Sequence, residues 1–86
     1  MIKEGFVLRN LAEMNLIMPT GDNVKDFNGA LMLNEIGAFI FSELKSGRTI
    51  DEIAELLTKE YVVPFEKAKT DIIKTIDILK EARIAE

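Results

Sequence analysis

Ser42 and Ser46 are the only serines of this chain, and neither can be given a histidine base, because the sequence contains no histidine and no cysteine. That removes the usual general base at neutral pH, the thiolate nucleophile, and the commonest ligands for zinc or an iron–sulfur cluster. What remains for acid–base chemistry is a set of 15 Asp and Glu residues. These fall mainly on the polar faces of predicted helices, where a carboxylate is simply solvated. The chain is therefore expected to be a non-enzyme, with no metal and no cofactor. Its working parts must be main-chain groups and apolar surface.

The stretch from Phe27 to Phe39 holds both. Residues 29 to 33 are apolar without the polar alternation of a solvated hairpin strand. Asn34 then stands where strand gives way to helix, and Asn is a favoured N-cap because its side-chain oxygen accepts a bond from an orphan N–H of the first turn. Upstream, Gly5 to Arg9 alternates as a short strand with Phe6 and Leu8 on one face. Asn10 to Glu13 reads as a four-residue loop, and Met14 to Met18 as a second strand, stopped by Pro19. Two strands so closely joined predict an antiparallel hairpin. Pro19-Thr20-Gly21-Asp22-Asn23 is a turn signal, and Val24 to Phe27 leads into a third strand over Asn28 to Leu33.

Three helices follow. The first, Glu35 to about Lys45, carries Ile36, Phe39, Ile40 and Leu44 at helical spacing, with Ala38 and Phe41 widening the stripe. Gly37 suits close approach of another backbone, and Gly47 suits the left-handed residue past a helix end. Thr49-Ile50-Asp51-Glu52 matches a capping box for the second helix, which should fade near Lys59 or Glu60 because Val63 precedes Pro64. The third helix, Phe65 to about Arg83, has a core stripe of Phe65, Ala68, Ile72, Ile76 and Leu79. Ile73 and Ile78 fall off that stripe on opposite flanks. The expected fold is α+β and winged helix-turn-helix-like: a three-stranded antiparallel sheet followed by three helices.

Composition bounds the rest. At 86 residues the chain is expected to form one domain, residues 1–86. No apolar run approaches the roughly 20 residues needed to cross a bilayer, and the N-terminus begins no signal peptide, so no membrane partner is expected. Without cysteine the chain suits the reducing cytoplasm. A net charge of −4 opposes non-specific binding to nucleic acid, which needs a basic surface.

Several segments also resemble the PqqD-like family. Gly5-Phe6-Val7-Leu8-Arg9 is similar to its opening. Phe27-Asn28-Gly29 followed by Leu33-Asn34-Glu35-Ile36-Gly37-Ala38-Phe39 is the strongest match. Gly47-Arg48-Thr49 with Asp51-Glu52-Ile53, then Tyr61, Asp71, Ile76 and Leu79, complete the order over nearly the whole chain. Three positions depart from the pattern: Phe41 stands where relatives often carry Trp, and Glu13 and Arg83 stand where Gly is common.

The resemblance implies a peptide-binding module of ribosomal peptide biosynthesis, a recognition element that binds the leader of a precursor peptide and delivers it to a modifying enzyme, often a radical SAM protein. The leader would add as a fourth strand beside the third and lie in a groove against the third helix. An exposed edge supplies main-chain hydrogen bonds and the groove supplies specificity, a recurring mode of peptide recognition. On this reading Asn28, Gly29, Ala30, Leu31 and Met32 bind by main-chain pairing, with Met32 an adaptable apolar contact. Leu31 and Leu33 also read as plain core. Gly29 is small either to admit the incoming backbone or because the turn needs it. On the third helix the expected contacts are the flank Lys69, Ile73 and Asp77, with the opposite flank, Asp71 and Ile78, as the alternative. The chain would be a monomer or a weak homodimer. The rival reading is a winged-helix DNA-binding regulator, against which stands the mixture of Lys67, Lys69, Lys74, Lys80 and Arg83 with Glu66, Asp71, Asp77 and Glu81 on its third helix.

Overall fold

The computed structural model describes residues 1–21, 24 and 29–86. Strands β1 (Phe6–Leu11) and β2 (Met14–Pro19) pair antiparallel, with Phe6 opposite Pro19 and Leu11 opposite Met14. The expected four-residue loop shrinks to two residues. Ala12 and Glu13 both take left-handed angles (φ 51° and 67°), the twist that lets a two-residue turn close a hairpin. Asn10 and Leu11 are thereby released into the strand, where the Asn10 side chain donates to Asn15 Oδ1 at 3.1 Å.

The third strand, β3 (Leu31–Leu33), pairs with β2 through Ile17–Leu31, Leu16–Met32 and Asn15–Leu33, giving the order β1-β2-β3. It is shorter than the expected Asn28 to Leu33. Gly29 has φ 104° and Ala30 lies outside the ladder, while Phe27 and Asn28 lie outside the described residues.

Helices α1 (Glu35–Lys45), α2 (Ile50–Glu60) and α3 (Phe65–Glu81) follow. The end of α1 is closed by Gly47 at φ 90°: its N–H donates to the Leu44 carbonyl at 3.0 Å and the Arg48 N–H to that of Glu43 at 3.2 Å. The capping box of α2 is complete, with Glu52 N–H donating to Thr49 Oγ1 at 3.1 Å and Thr49 N–H to Glu52 Oε1 at 2.8 Å. The α3 helix stops at Glu81, two residues short of the expected Arg83, because Arg83 itself turns left-handed (φ 62°). Its N–H reaches the Lys80 carbonyl at 3.0 Å and the Ile84 N–H reaches that of Leu79 at 2.8 Å. This is the same closure as at Gly47, with an arginine in the glycine's place.

That closure sends Ile84 and Ala85 back into the core, and Ala85 bridges Ile2. The core lies between one face of the sheet and the three helices, centred on Ile17, Ile40, Phe41, Ile53, Leu57, Ile72, Leu79 and Ile84. Phe41, at the position where Trp was the alternative, is 1% exposed. The α3 stripe is Ala68, Ile72, Ile76 and Leu79 with buried Thr75; Phe65, expected in that stripe, is 37% exposed at the helix start, with Lys69 Nζ 5.7 Å from its ring centre. No helix among the described residues is long and apolar enough to cross a membrane.

Two predictions come from these turns. A side chain at positive φ is strained relative to glycine by about 1 kcal/mol. Glu13→Gly and Arg83→Gly should each raise the urea midpoint accordingly, with an unchanged denaturant slope. The bond from the Thr49 N–H, with the Thr49 hydroxyl contact second, holds the Glu52 carboxyl below its usual 4.5. Because the folded value is the lower one, this contribution is present above the unfolded value and lost as pH falls through the folded one. The Thr49 amide shift should therefore titrate with a midpoint below 4.5, and Glu52→Gln should abolish that titration.

Candidate functional site

The two outer strands of the sheet are not equivalent. In an antiparallel ladder, residues alternate between pairs that exchange hydrogen bonds and pairs whose main-chain groups point away. The Thr20 N–H donates to the Gly5 carbonyl at 2.7 Å, and the two-residue turn closes on Leu11 and Met14. Both place Val7–Met18, Arg9–Leu16 and Leu11–Met14 among the exchanging pairs. Asn15 and Ile17 must then face β3, and they use up the main-chain groups of Leu33 and Leu31. Met32 is left with its N–H and C=O directed outward, and no described residue bonds them.

On β1 the outward set includes Phe6, whose carbonyl accepts the Lys45 ammonium at 2.6 Å. The segment before β1 is tied to the C-terminus, with Lys3 N–H donating to the Ile84 carbonyl at 2.8 Å. A charged side chain laid on an outer strand is a common device for blocking strand addition. This block lies at the Phe6 end of β1, while on β3 no charged side chain or terminal segment among the described residues covers the outward groups of Met32.

Behind this edge, the strand is anchored from inside. Leu33 is buried and Leu31 half-buried, so the plain-core reading of both is the one the packing supports; Met32, on the other face, is 63% exposed. Asn34 caps α1 by accepting the Gly37 N–H on Oδ1 at 2.7 Å, while the Ala38 N–H donates to its carbonyl at 2.9 Å. Gly37 is small for a different reason from the one expected. The nearest atoms among the described residues belong to side chains: a Cβ there would lie 3.2 Å from Asn34 Oδ1 and 3.4 Å from Leu33 Cβ. The residue makes room for its own helix cap. Gly29, by contrast, has open space around it and a left-handed φ of 104°, so backbone conformation is what requires glycine there.

Between the start of α1 and α3 lies an open groove of about 360 Å³, lined by Asn34, Ile36, Gly37, Lys67, Asp71, Lys74, Thr75 and Ile78. Apolar side chains from Ile36 and Ile78 supply its grip. Lys67 is bridged to Asp71 at 3.4 Å, whereas Lys74 has no ionic partner among the described residues. The flank expected from sequence is elsewhere: Lys69 pairs with Asp51 at the start of α2 at 3.3 Å, and Ile73 and Asp77, on the same side of the helix, are exposed and do not line the groove. The alternative flank, Asp71 and Ile78, is the one that meets the β3–α1 junction. Lys67, Lys74 and Ile36 were not singled out as binding residues. The available signal was Thr75, a buried polar residue beside the stripe, whose hydroxyl donates to the Asp71 carbonyl at 2.9 Å. A second open hollow, about 590 Å³, lies at the same C-terminal end of β3, between the hairpin turn and Glu35.

A short edge strand with outward-facing main-chain groups, backed by a helix and flanked by a groove, defines a small α+β domain open to strand addition. The family model of coenzyme PQQ synthesis protein D (PqqD) matches residues 9–85, and the chain belongs to that family. Two solved structures share the fold. One, described as TbiB1 in complex with the TbiA(beta) leader peptide, superposes with a TM-score of 0.78 at 19% identity, covering 99% of this chain and 93% of that one. The other, lasso peptide synthetase B1 complexed with the leader peptide, gives 0.75 at 22% identity, covering 94% and 89%. No curated protein matches the sequence.

The junction itself can be probed directly. Asn34→Ala removes the Gly37 N–H acceptor and should lower unfolding free energy by about 1 kcal/mol in urea titration, whereas Asn34→Asp should keep most of it.

Proposed function

We propose that this protein is a non-catalytic carrier that binds the leader segment of a ribosomally made precursor peptide and delivers it to a modifying enzyme. The observation that carries the proposal is the outward-facing main chain of Met32, unbonded among the described residues, on the sheet edge that lies beside the groove. Membership of the PqqD family supports it, as does a shared fold with two proteins described in complex with leader peptides.

The leader adds beside β3. Parity assigns the pairing to the N–H and C=O of Met32 and, two residues earlier, of Ala30, while Leu31 stays committed to β2. Gly29 borders the point where the leader enters; Asn28, assigned to binding from the sequence, lies outside the described residues. Alternate side chains of the leader turn inward to the groove along Ile36, Asp71 and Ile78, and the others turn outward beside Met32. The Lys69, Ile73 and Asp77 flank has no part in this arrangement. With neither His nor Cys in the chain, the catalytic groups belong to the receiving enzyme, for which a radical SAM protein of the cytoplasm is the proposed type.

A precursor peptide from the gene neighbourhood should bind with a Kd on the order of 1 μM, the strength of a short added strand that also pays its own ordering entropy. Hydrogen exchange gives the sharper reading. Leu31 and Leu33 amides should be protected in the free protein, and Met32 should become protected when the peptide is added. Ala30→Pro, which removes one N–H donor, should weaken binding by about tenfold. Peptide-induced NMR shifts absent from residues 29–33 and α3 would exclude this mode.

A further inference from the structure

The hollow at the hairpin end of the sheet has a lining unlike that of the groove, with which it shares only Asn34. Its apolar wall is Met14 and Met32, 43% and 63% exposed. Both project from the face of the sheet opposite the core. Leu8, Ile17 and Leu31 form a row packed inward, so Leu16, Met32 and, two residues back along β2, Met14 turn the other way. Glu13 from the hairpin turn and Glu35 from the first turn of α1 supply the charge. Among the described residues neither carboxylate has an ionic partner, and no basic side chain lines the hollow. The groove, in contrast, sets Lys67 and Lys74 against Asp71. Glu35 has a local reason for its place, because a carboxylate is favourable at a helix start. Nothing local favours Glu13: its φ of 67° suits glycine, yet a charged side chain stands there.

We infer that the hollow is a subsite for a lysine or arginine of the leader, the residue paired with Met32, and that Glu13 and Glu35 select it. The inference rests on the peptide-carrier reading and deepens it by naming a side chain that the bound segment carries. Residues directly opposite one another in a ladder put their side chains on the same face. The leader residue across from Met32 therefore projects beside it, on the outer side, and not into the groove. The added strand lies about 4.8 Å outside β3, so its side chain must cross β3 to reach the hairpin turn. Lys and Arg alone combine that reach with an apolar stem and a positive head. The stem lies along Met32 and Met14, and the head stays in water between the two carboxylates. Methionine adapts to either stem. In the groove the same cation would meet two lysines, so the two hollows sort leader side chains by charge as well as by parity. Both carboxylates are exposed, so their contribution is a modest one that sets specificity more than strength.

The test uses the full chain and the precursor peptide encoded beside it, with each Lys and Arg of the leader replaced in turn by Gln. On the wild-type chain one replacement should weaken binding by about fivefold in calorimetry. That residue should be the one showing cross-strand NOEs to Met32. Glu13→Gly, Glu35→Gln and the double variant complete a cycle with the same peptide, and in the double variant the replacement should cost under about twofold. Glu13→Gly is the sharpest single variant. It should raise the urea midpoint while lowering affinity for the unaltered peptide by about threefold, whereas a folding defect would lower both. Glu60→Gln with Glu81→Gln, both exposed and outside the hollow, removes the same net charge and should leave the fivefold loss intact. Three results would overturn the inference and leave the carrier reading in place: no replacement that matters on the wild-type chain, equal losses on the wild type and the double variant, or a residue opposite Met32 that is neither Lys nor Arg. Failure of the peptide to bind the wild-type chain would remove the carrier reading and the subsite with it.

Discussion

The hydrogen bond from the Gly37 N–H to Asn34 Oδ1 sets the relation between sheet and helices. Asn34 immediately follows β3 and immediately precedes α1, so there is no loop to absorb an error in direction. With the cap made, Leu33 enters the core and the first turn of α1 stands against α3, with Ile36 beside the groove. The absence of a side chain at residue 37 belongs to the same device, because a Cβ would crowd the cap oxygen and Leu33 together. The outward aim of Met32 depends on its neighbours at 31 and 33 being committed inward and to β2.

A three-stranded sheet has two edges, and the protein treats them differently. Lys45 reaches across from the end of α1 to the Phe6 carbonyl, and the C-terminal turn ties down the segment before β1. Neither device is present on β3 among the described residues. A small domain with two free edges would risk adding copies of itself at either. With one edge blunted, strand addition is directed to the side where the groove lies.

Much of the fold was legible in local signals. Asn34, the Thr49–Glu52 box and Gly47 each act through bonds spanning a few residues, and each appears at its expected place with its expected partner. The errors had causes outside the segments concerned. The four-residue hairpin loop and the overlong α3 both came from non-glycine residues, Glu13 and Arg83, adopting left-handed angles that their side chains disfavour. The surrounding pairing and the burial of Ile84 and Ala85 impose those angles, and propensity cannot anticipate a conformation imposed from outside the segment.

From sequence alone came the exclusion of the commonest catalytic chemistry, since no folding can supply a missing histidine or cysteine, together with the order of elements and the family resemblance. Tertiary structure decided which residues face the groove. The apolar stripe of α3 is nearly symmetric, with Lys69, Ile73 and Asp77 to one side and Asp71 and Ile78 to the other, so its periodicity buries the stripe equally well either way. Which flank lies beside β3 depends on the angle at which α1 leaves the strand and on the docking of α2 against α3. The contacts that set those angles join residues far apart in the chain, and no window of sequence contains them.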